Sequence, residues 1–257
     1  MFSILILLIV SLATHVYGNV VSNKAAVDRL ISRIKSSVTV DLKNPPFYNT
    51  NIERKPDCLA ITPFSSRGTT EFSHRHFLKS IKELNVLHTV NVERYQDNLT
   101  KNPSVLRITT STAKTQSTTS GWTVGGKLSL GGGDTTKGSL ELSAAYSKSG
   151  TNSNTHTTSV EHTITCNPGY ECSIETWTFY AEIKGTCELR MRFGSNGKED
   201  MCEAMKKGDS RVLCDQFKPL RQQYCAKPRM HSCDVTIPLA DATGKPVTRI
   251  VGRSEKL

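Results

Sequence analysis

The chain has 257 residues, with 33 Lys and Arg against 23 Asp and Glu, for a formal net charge of +10. At 37% hydrophobic and 22% charged it can bury a core as one large domain or two small ones, which excludes wholesale disorder. A polytopic membrane protein is excluded too, because the only long apolar run, Phe2 to Ala13, is too short to span a bilayer as a helix.

That run, followed by His15 and Val16-Tyr17-Gly18, reads as a signal peptide over 1–18 that lacks a basic n-region, and the mature chain then starts at Asn19. Eight cysteines, Cys58, Cys166, Cys172, Cys187, Cys202, Cys214, Cys225 and Cys233, are an even count in a chain that looks exported, so disulfides are expected. None has C-x-x-C spacing, which argues against a zinc ribbon or a redox site. Cys58 is the long-range partner of one of the seven others, and Cys166 with Cys172 can close a turn around Asn167-Pro168-Gly169. Asn98-Leu99-Thr100 fits the N-glycosylation pattern at Asn98.

In chain order, Lys24 to Val38 after Ser22 has the spacing of an amphipathic helix, with Ala26, Leu30, Ile31 and Ile34 on one face. A second helix is expected over His76 to Leu84. From His88 the texture is β, through His88–Tyr95, Ser104–Thr112, Ile164–Cys166 and Cys172–Ile183. Lys198 to Lys227 reads as two short helices carrying Cys202, Cys214 and Cys225, and Val235–Leu239 and Val247–Val251 as closing strands. Charge divides unevenly: 13 basic and 8 acidic groups over 19–103, 5 and 6 over 104–183, 15 and 9 over 184–257. In a secreted protein such basic ends suit anionic lipid, sulfated glycan or plain solvation better than nucleic acid.

The middle carries the strongest signal. Ser104 to Asn167 has no proline, and nearly half of Thr109–Thr165 is Ser or Thr. A mucin-like stalk or linker would explain that composition but not a strict apolar period. Trp122, Val124, Gly126, Leu128 and Leu130 alternate with Thr123, Gly125, Lys127 and Ser129; Leu140, Leu142, Ala144 and Tyr146 alternate with Glu141, Ser143 and Ala145. Gly131–Gly138 is a turn-rich tip, so 121–147 is a β-hairpin with one apolar and one polar face. Pairing Leu130 with Leu140 puts both apolar sets on one side. An ordinary sandwich strand alternates in the same way. Four features favour membrane insertion over it: a nine-residue limb from Trp122 to Leu130, near the roughly 9–11 that a tilted strand needs; Trp122 and Tyr146 together at the open end; a small hydroxylated polar face on which Lys127 and Glu141 can meet; and a polar tip. Trp122, Val124, Gly126, Leu128, Leu130, Leu140, Leu142, Ala144 and Tyr146 are then membrane-facing, and Thr123, Lys127, Ser129, Glu141 and Ser143 lumen-facing. Two strands alone would expose unpaired edges to lipid, so several chains must close a barrel.

The stretches Thr115–Leu130, Gly138–Ser149 and Thr155–Thr165 resemble the insertion region of aerolysin-like β-pore-forming proteins, the epsilon-toxin and mosquitocidal-toxin branch, over roughly residues 87–186. The resemblance implies a mainly β fold with minor helices, an elongated twisted sheet carrying the insertion hairpin, and a chain secreted soluble that oligomerises on a target-cell membrane. Read this way the chain divides into a signal peptide (1–18), an N-terminal α/β region (19–86), the pore-forming β region (87–186) and a cysteine-rich C-terminal region (187–257). The last matches nothing in the family pattern; it could replace a receptor-binding lobe, for a glycan or protein receptor, or merely staple the end of the molecule. The rival reading is a secreted, disulfide-stabilised binding module, lectin-like or inhibitory, that never inserts.

Other signals are weaker. His74 and His76 share a strand face and could bind a metal or sense pH, but no third ligand suggests itself. G-x-S-x-G, H-E-x-x-H and P-loop motifs are absent, so neither an enzyme nor a cofactor is expected. Arg249-Ile-Val-Gly-Arg253 reads as an exposed basic tail before a protease site.

Overall fold

A computed structural model describes residues 24–58, 68–130, 138–146, 155–194 and 197–257. The signal peptide expected over 1–18, Ser22 and the tip at 131–137 lie outside the described residues. The protein is mostly β, and all eight cysteines are paired: Cys58–Cys214, Cys166–Cys172, Cys187–Cys233 and Cys202–Cys225. Four disulfides mark folding in an oxidising, extracytosolic compartment. No helix among the described residues is long and apolar enough to cross a membrane.

Helix α1 (Lys24–Ser36) forms where the apolar spacing places it, and buries Ile34. The main sheet is built on two long antiparallel strands, β3 (Thr69–Asn98) and β9 (Tyr170–Phe193), paired from Phe72↔Phe193 to Asn98↔Tyr170. The helix expected over His76–Leu84 is therefore strand. Its helix-like spacing has a local cause. Bulges between Leu78 and Ser80 and between Ile81 and Glu83 each add one residue to the period of two. Leu78, Ile81 and Leu84 consequently reach the core side at intervals of three, opposite Cys187, Gly185 and Ile183. At the first bulge a Cβ on Gly185 would sit 2.4 Å from the Ser80 carbonyl oxygen, so only glycine fits.

Strand β2 (Phe47–Pro56) pairs with the outer edge of β3. On the other side of β9, β11 (Arg229–Asp241) covers the end toward Phe193 and β12 (Thr248–Lys256) the end toward Tyr170. The segment Arg249–Arg253 is thus a paired strand and not an exposed tail, held in part by Arg253 against the buried Glu175 carboxylate at 3.5 Å. The expected boundaries at 86/87 and 186/187 fall within β3 and β9.

Alternate residues of β9 serve different layers. Phe179, Ala181, Ile183 and Cys187 face a core with Ile34, Val235, Ile237 and Leu239, and further along the same face Met191 and Phe193 meet the short helices α2 (Met201–Lys206), α3 (Ser210–Leu213) and α4 (Lys218–Cys225). The opposite face, at Cys172 and Ile174, is covered by a separate two-stranded ladder of β4 (Ser104–Lys114) and β8 (Thr155–Cys166), through Leu106, Ile108 and Ile164. The ladder is tied down by Cys166–Cys172 and by Ser111 Oγ, 2.9 Å from Thr176 Oγ1.

Candidate functional site, a stored β-hairpin

The alternating segment forms a hairpin of β6 (Gly125–Leu130) and β7 (Gly138–Ser143), with Leu128 opposite Leu140 and Lys127 opposite Glu141. The register differs by two residues from the expected Leu130–Leu140 pairing. A slip of two keeps every side chain on its face, which is why period alone could not detect it.

The limbs are shorter than expected. Trp122 and Thr123 form a separate strand, β5, on β2, and Val124 lies between β5 and β6. After Ser143 the chain leaves the sheet through a 3-10 turn, Ala144–Tyr146, so Ala144 and Tyr146 are not strand residues in this state. The side chains of Leu130 and Tyr146 lie outside the described ones.

Every described apolar side chain of the hairpin is turned inward. Val124, Leu128, Leu140 and Leu142 are buried in the main core, at no more than 4% exposure. Gly126 backs onto the same core: a Cβ there would lie 3.0 Å from Ile237 Cδ1 and 3.3 Å from Leu140 Cδ1. Trp122 packs on the rim of this core with its ring 4.8 Å from Tyr48. Of the expected polar face, Ser129 is exposed and Thr123, Lys127 and Glu141 are half-buried. Ser143 departs from the expectation and is fully buried, under the turn between β1 (Val38–Val40) and β2. Its hydroxyl lies 3.3 Å from Asp41 Oδ2 and 3.2 Å from the Asn44 carbonyl, and it accepts from Ala145 N–H at 3.0 Å. The Lys43 N–H and the Asn44 amide hold the Asp41 carboxyl below its usual range.

The pairings that hold the hairpin are short. β6 pairs in parallel with β11 over Leu239↔Gly126 to Asp241↔Leu128, and β7 in parallel with β1 over Val38↔Leu140 to Val40↔Leu142. Because β5 pairs with β2 and β6 with β11, one segment hydrogen-bonds to both edges of the main sheet and closes it over its core. No cysteine lies between Cys58 and Cys166.

The registers of the hairpin and the β4–β8 ladder differ by a single residue. That ladder ends at Lys114↔Thr155, and the hairpin begins at Gly125↔Ser143. The intervening limbs, 115–124 and 144–154, differ in length by one residue, the size of a single bulge.

Around Trp122 lies a cluster that spacing alone did not disclose. His231 Nε2 sits 3.0 Å from His76 Nδ1 and 3.1 Å from the Tyr48 hydroxyl, and Tyr48 stacks on His76 at 4.4 Å. Burial, then His231 and His74, lower the His76 pKa to about 4. His74 and His76 do share a strand face, but His74 is buried beside Glu53 and Tyr224, and burial lowers its pKa too. Among the described residues no group of three or more His, Cys, Asp or Glu is placed to hold a metal.

Asn98, which heads the glycosylation motif, has its side chain engaged inside the fold. It is wholly buried, and its Nδ2 donates to the Asn102 and Cys166 carbonyls at 2.9 and 2.8 Å. Its Oδ1 accepts from the Thr100 N–H and hydroxyl at 3.1 and 2.7 Å. The Thr100 that completes the motif lies in the exposed turn that this buried amide holds.

No family model matches the chain, and no curated protein matches it. Among solved structures, that of the Cry23Aa1 and Cry37Aa1 binary protein complex aligns over 90% of this chain and 95% of that chain, at 12% identity and a TM-score of 0.16. That score assigns no shared fold.

Proposed function

We propose that the protein is a secreted pore-former of the aerolysin-like kind, which oligomerises on a target membrane and converts the stored hairpin into one limb pair of a transmembrane β-barrel. The one-residue offset between the two ladders, which a single bulge absorbs, carries this reading. Straightening 115–124 and 144–154 with one bulge makes a single antiparallel hairpin from Ser104/Cys166 to the tip. Each limb, from Ser104 to Leu130, would be about 90 Å long at a rise of about 3.3 Å per residue. The hairpin's far end is apolar on one face and its base carries Leu106, Ile108 and Ile164; the Ser/Thr-rich stretch between suits a barrel wall in water.

The energetics are compatible with such a conversion. Moving Val124, Leu128, Leu140 and Leu142 from a protein core into lipid changes their hydrophobic transfer little, since both surroundings are apolar. What opposes release is lost packing and the short ladders to β11, β1 and β2. A closed ring restores backbone pairing for every chain in it, which an isolated hairpin in lipid cannot do. The rival binding-module reading draws on the same burial, since a hairpin so well integrated could simply be core.

A lock separates the two. Lys127 and Ala240 are direct partners on neighbouring strands, within the span that a disulfide bridges. The oxidised Lys127→Cys/Ala240→Cys protein should bind target membranes and release no dye from vesicles carrying whole-cell lipid and membrane protein. Each single variant, its thiol alkylated, should release dye as the parent does. Release by the locked protein would show that the hairpin need not leave. Binding without release by every form, including one treated with limited protease, would favour the binding module.

A further inference from the structure

The face of the main sheet that carries the β4–β8 ladder at one end is half-exposed at the other, and there it is cationic and aromatic. Neighbouring strands bring Phe47 beside Phe77 and Asn49 beside Arg75, and Arg75 in turn beside Arg190. The Arg75 guanidinium lies over the Phe47 ring at 4.2 Å, and those of Arg190 and Arg192 lie 5.7 and 5.9 Å from Phe77. Lys79 adds a fourth cation. Two carboxylates answer them: Glu188, 3.2 Å from Lys79 and 2.9 Å from Arg190, and Asp200, 3.9 and 3.7 Å from Arg190 and Arg192. Glu203 and Glu199 act on Arg190 and Arg192 from farther off but are themselves paired with Lys206 and Arg211, so cations outnumber the contacting carboxylates on a half-buried face where Arg75 Nε also donates to Asn49 Oδ1 at 3.0 Å and Arg192 Nε to the Gly197 carbonyl at 3.2 Å. Burial, and after it the neighbouring Arg192, lowers the Arg75 pKa; burial, and after it Arg190, lowers that of Arg192 against the opposing field of Asp200. An arriving anion would relieve that repulsion.

The position of this face gives it a direction. β4 lies along β9, with Ser111 against Thr176, and the Thr89 hydroxyl bonds both the Lys114 and Thr178 carbonyls. From Lys114, β4 points toward the Phe193 end of β9. Ten extended residues, 115–124, would cover about 33 Å at the strand rise, which equals the ten-residue span of β9 from Thr178 to Glu188. A straightened limb thus brings Gly125 level with the arginine cluster and carries the apolar end of the strands, with the polar tip after it, beyond.

We infer that the Arg75–Arg190–Arg192 face, with Phe47 and Phe77, is a membrane-docking surface that binds the anionic headgroups of phospholipids. This rests on the pore-forming reading for the direction in which the hairpin extends, though the charge and ring geometry stand without it. Guanidinium groups pair with phosphate or carboxylate oxygens in bidentate fashion, and two rings held at the same level can enter the headgroup boundary.

The test is co-sedimentation of the oxidised mature protein with phosphatidylserine–phosphatidylcholine vesicles and with pure phosphatidylcholine vesicles, beside dye release from both. Binding should require the anionic lipid and weaken as salt is raised. Arg75→Gln/Arg190→Gln should bind roughly 10–30-fold more weakly, at about 1 kcal/mol for each cation near the surface, and Arg75→Lys/Arg190→Lys should keep most of the binding. Arg94→Gln/Lys101→Gln removes the same charge at the far end of β3 and should bind as the parent does. Equal loss in the two glutamine variants would overturn the proposal in favour of net charge. Equal binding to neutral vesicles would overturn it as well, as would capture by soluble heparin with no capture by anionic vesicles. Should the glutamine pair fail to fold, the lysine pair and the salt series on the parent protein still decide. Anionic-lipid binding without release leaves the docking surface standing and removes the pore; release that ignores lipid charge removes the docking surface and leaves the pore.

Discussion

Asn98 sits in a glycosylation motif, yet it works as an internal strut at the end of β3. Its amide joins that end to the Asn102 turn and to Cys166, next to the Cys166–Cys172 disulfide. Asn98→Ala should lower stability by about 2–4 kcal/mol, because buried carbonyls lose their donors; a denaturant midpoint in line with the parent's would refute this. Peptide mass mapping of secreted protein should find Asn98 unmodified. His76 makes a prediction of opposite character. Its pKa in the folded protein is about 4, below the roughly 6.5 of an unfolded histidine. As pH falls below about 6.5 the unfolded chain takes up a proton that the folded chain refuses, so stability present at neutral pH is lost on acidification. Discounted for solvent screening, the loss is roughly 1–2 kcal/mol at pH 5. The difference in melting temperature between pH 7 and pH 5 should shrink in His76→Gln; an unchanged difference would assign the acid sensitivity to other histidines.

At the scale of elements, what could be read beforehand was whatever depends on a regular period. The first helix, the closing strands and the two faces of the hairpin all appear where alternation or 3.6-residue spacing put them. Two features that break periodicity were not legible. The bulges in β3 turned a strand's alternation into threes and imitated a helix over His76–Leu84. The hairpin register was off by two because period cannot count turn residues, and nothing in the alternation announced that the first limb divides between β2 and β11. His231 could not be placed beside His76 either, since 155 positions separate them and only the β11–β9–β3 order brings them together. The burial of Leu128 changes how the hairpin can be tested. At 2% exposure in the main core, Leu128→Arg would bury an unpaired charge and prevent folding whether or not the hairpin inserts. A lock across β6 and β11 avoids that ambiguity.

In the whole molecule, the disulfides and the closing segment divide the labour. Cys58–Cys214 and Cys202–Cys225 hold the helices against the Phe193 end, Cys187–Cys233 joins β9 to β11, and Cys166–Cys172 fixes the base of the β4–β8 ladder. Residues 59–165 carry no cross-link, so the segment that closes the sheet is held only by non-covalent contacts. Trp122 reports on that closure, since it pairs with Tyr48 across β5 and β2 and packs on the core rim. Its one companion, Trp177, lies under His88 at 4.1 Å on β9, outside the hairpin. In Trp177→Phe, then, all tryptophan emission comes from Trp122. If the hairpin extends with its aromatic end at the headgroup level, lipids brominated near the glycerol should quench Trp122 more strongly than lipids brominated near the chain ends, and only once dye release begins. The same protein locked through Lys127→Cys/Ala240→Cys should bind without quenching, because Trp122 stays on β2. Release without quenching by either lipid would mean that the membrane is breached by some other part of the chain, and the lipid-facing role of this limb would fall with it.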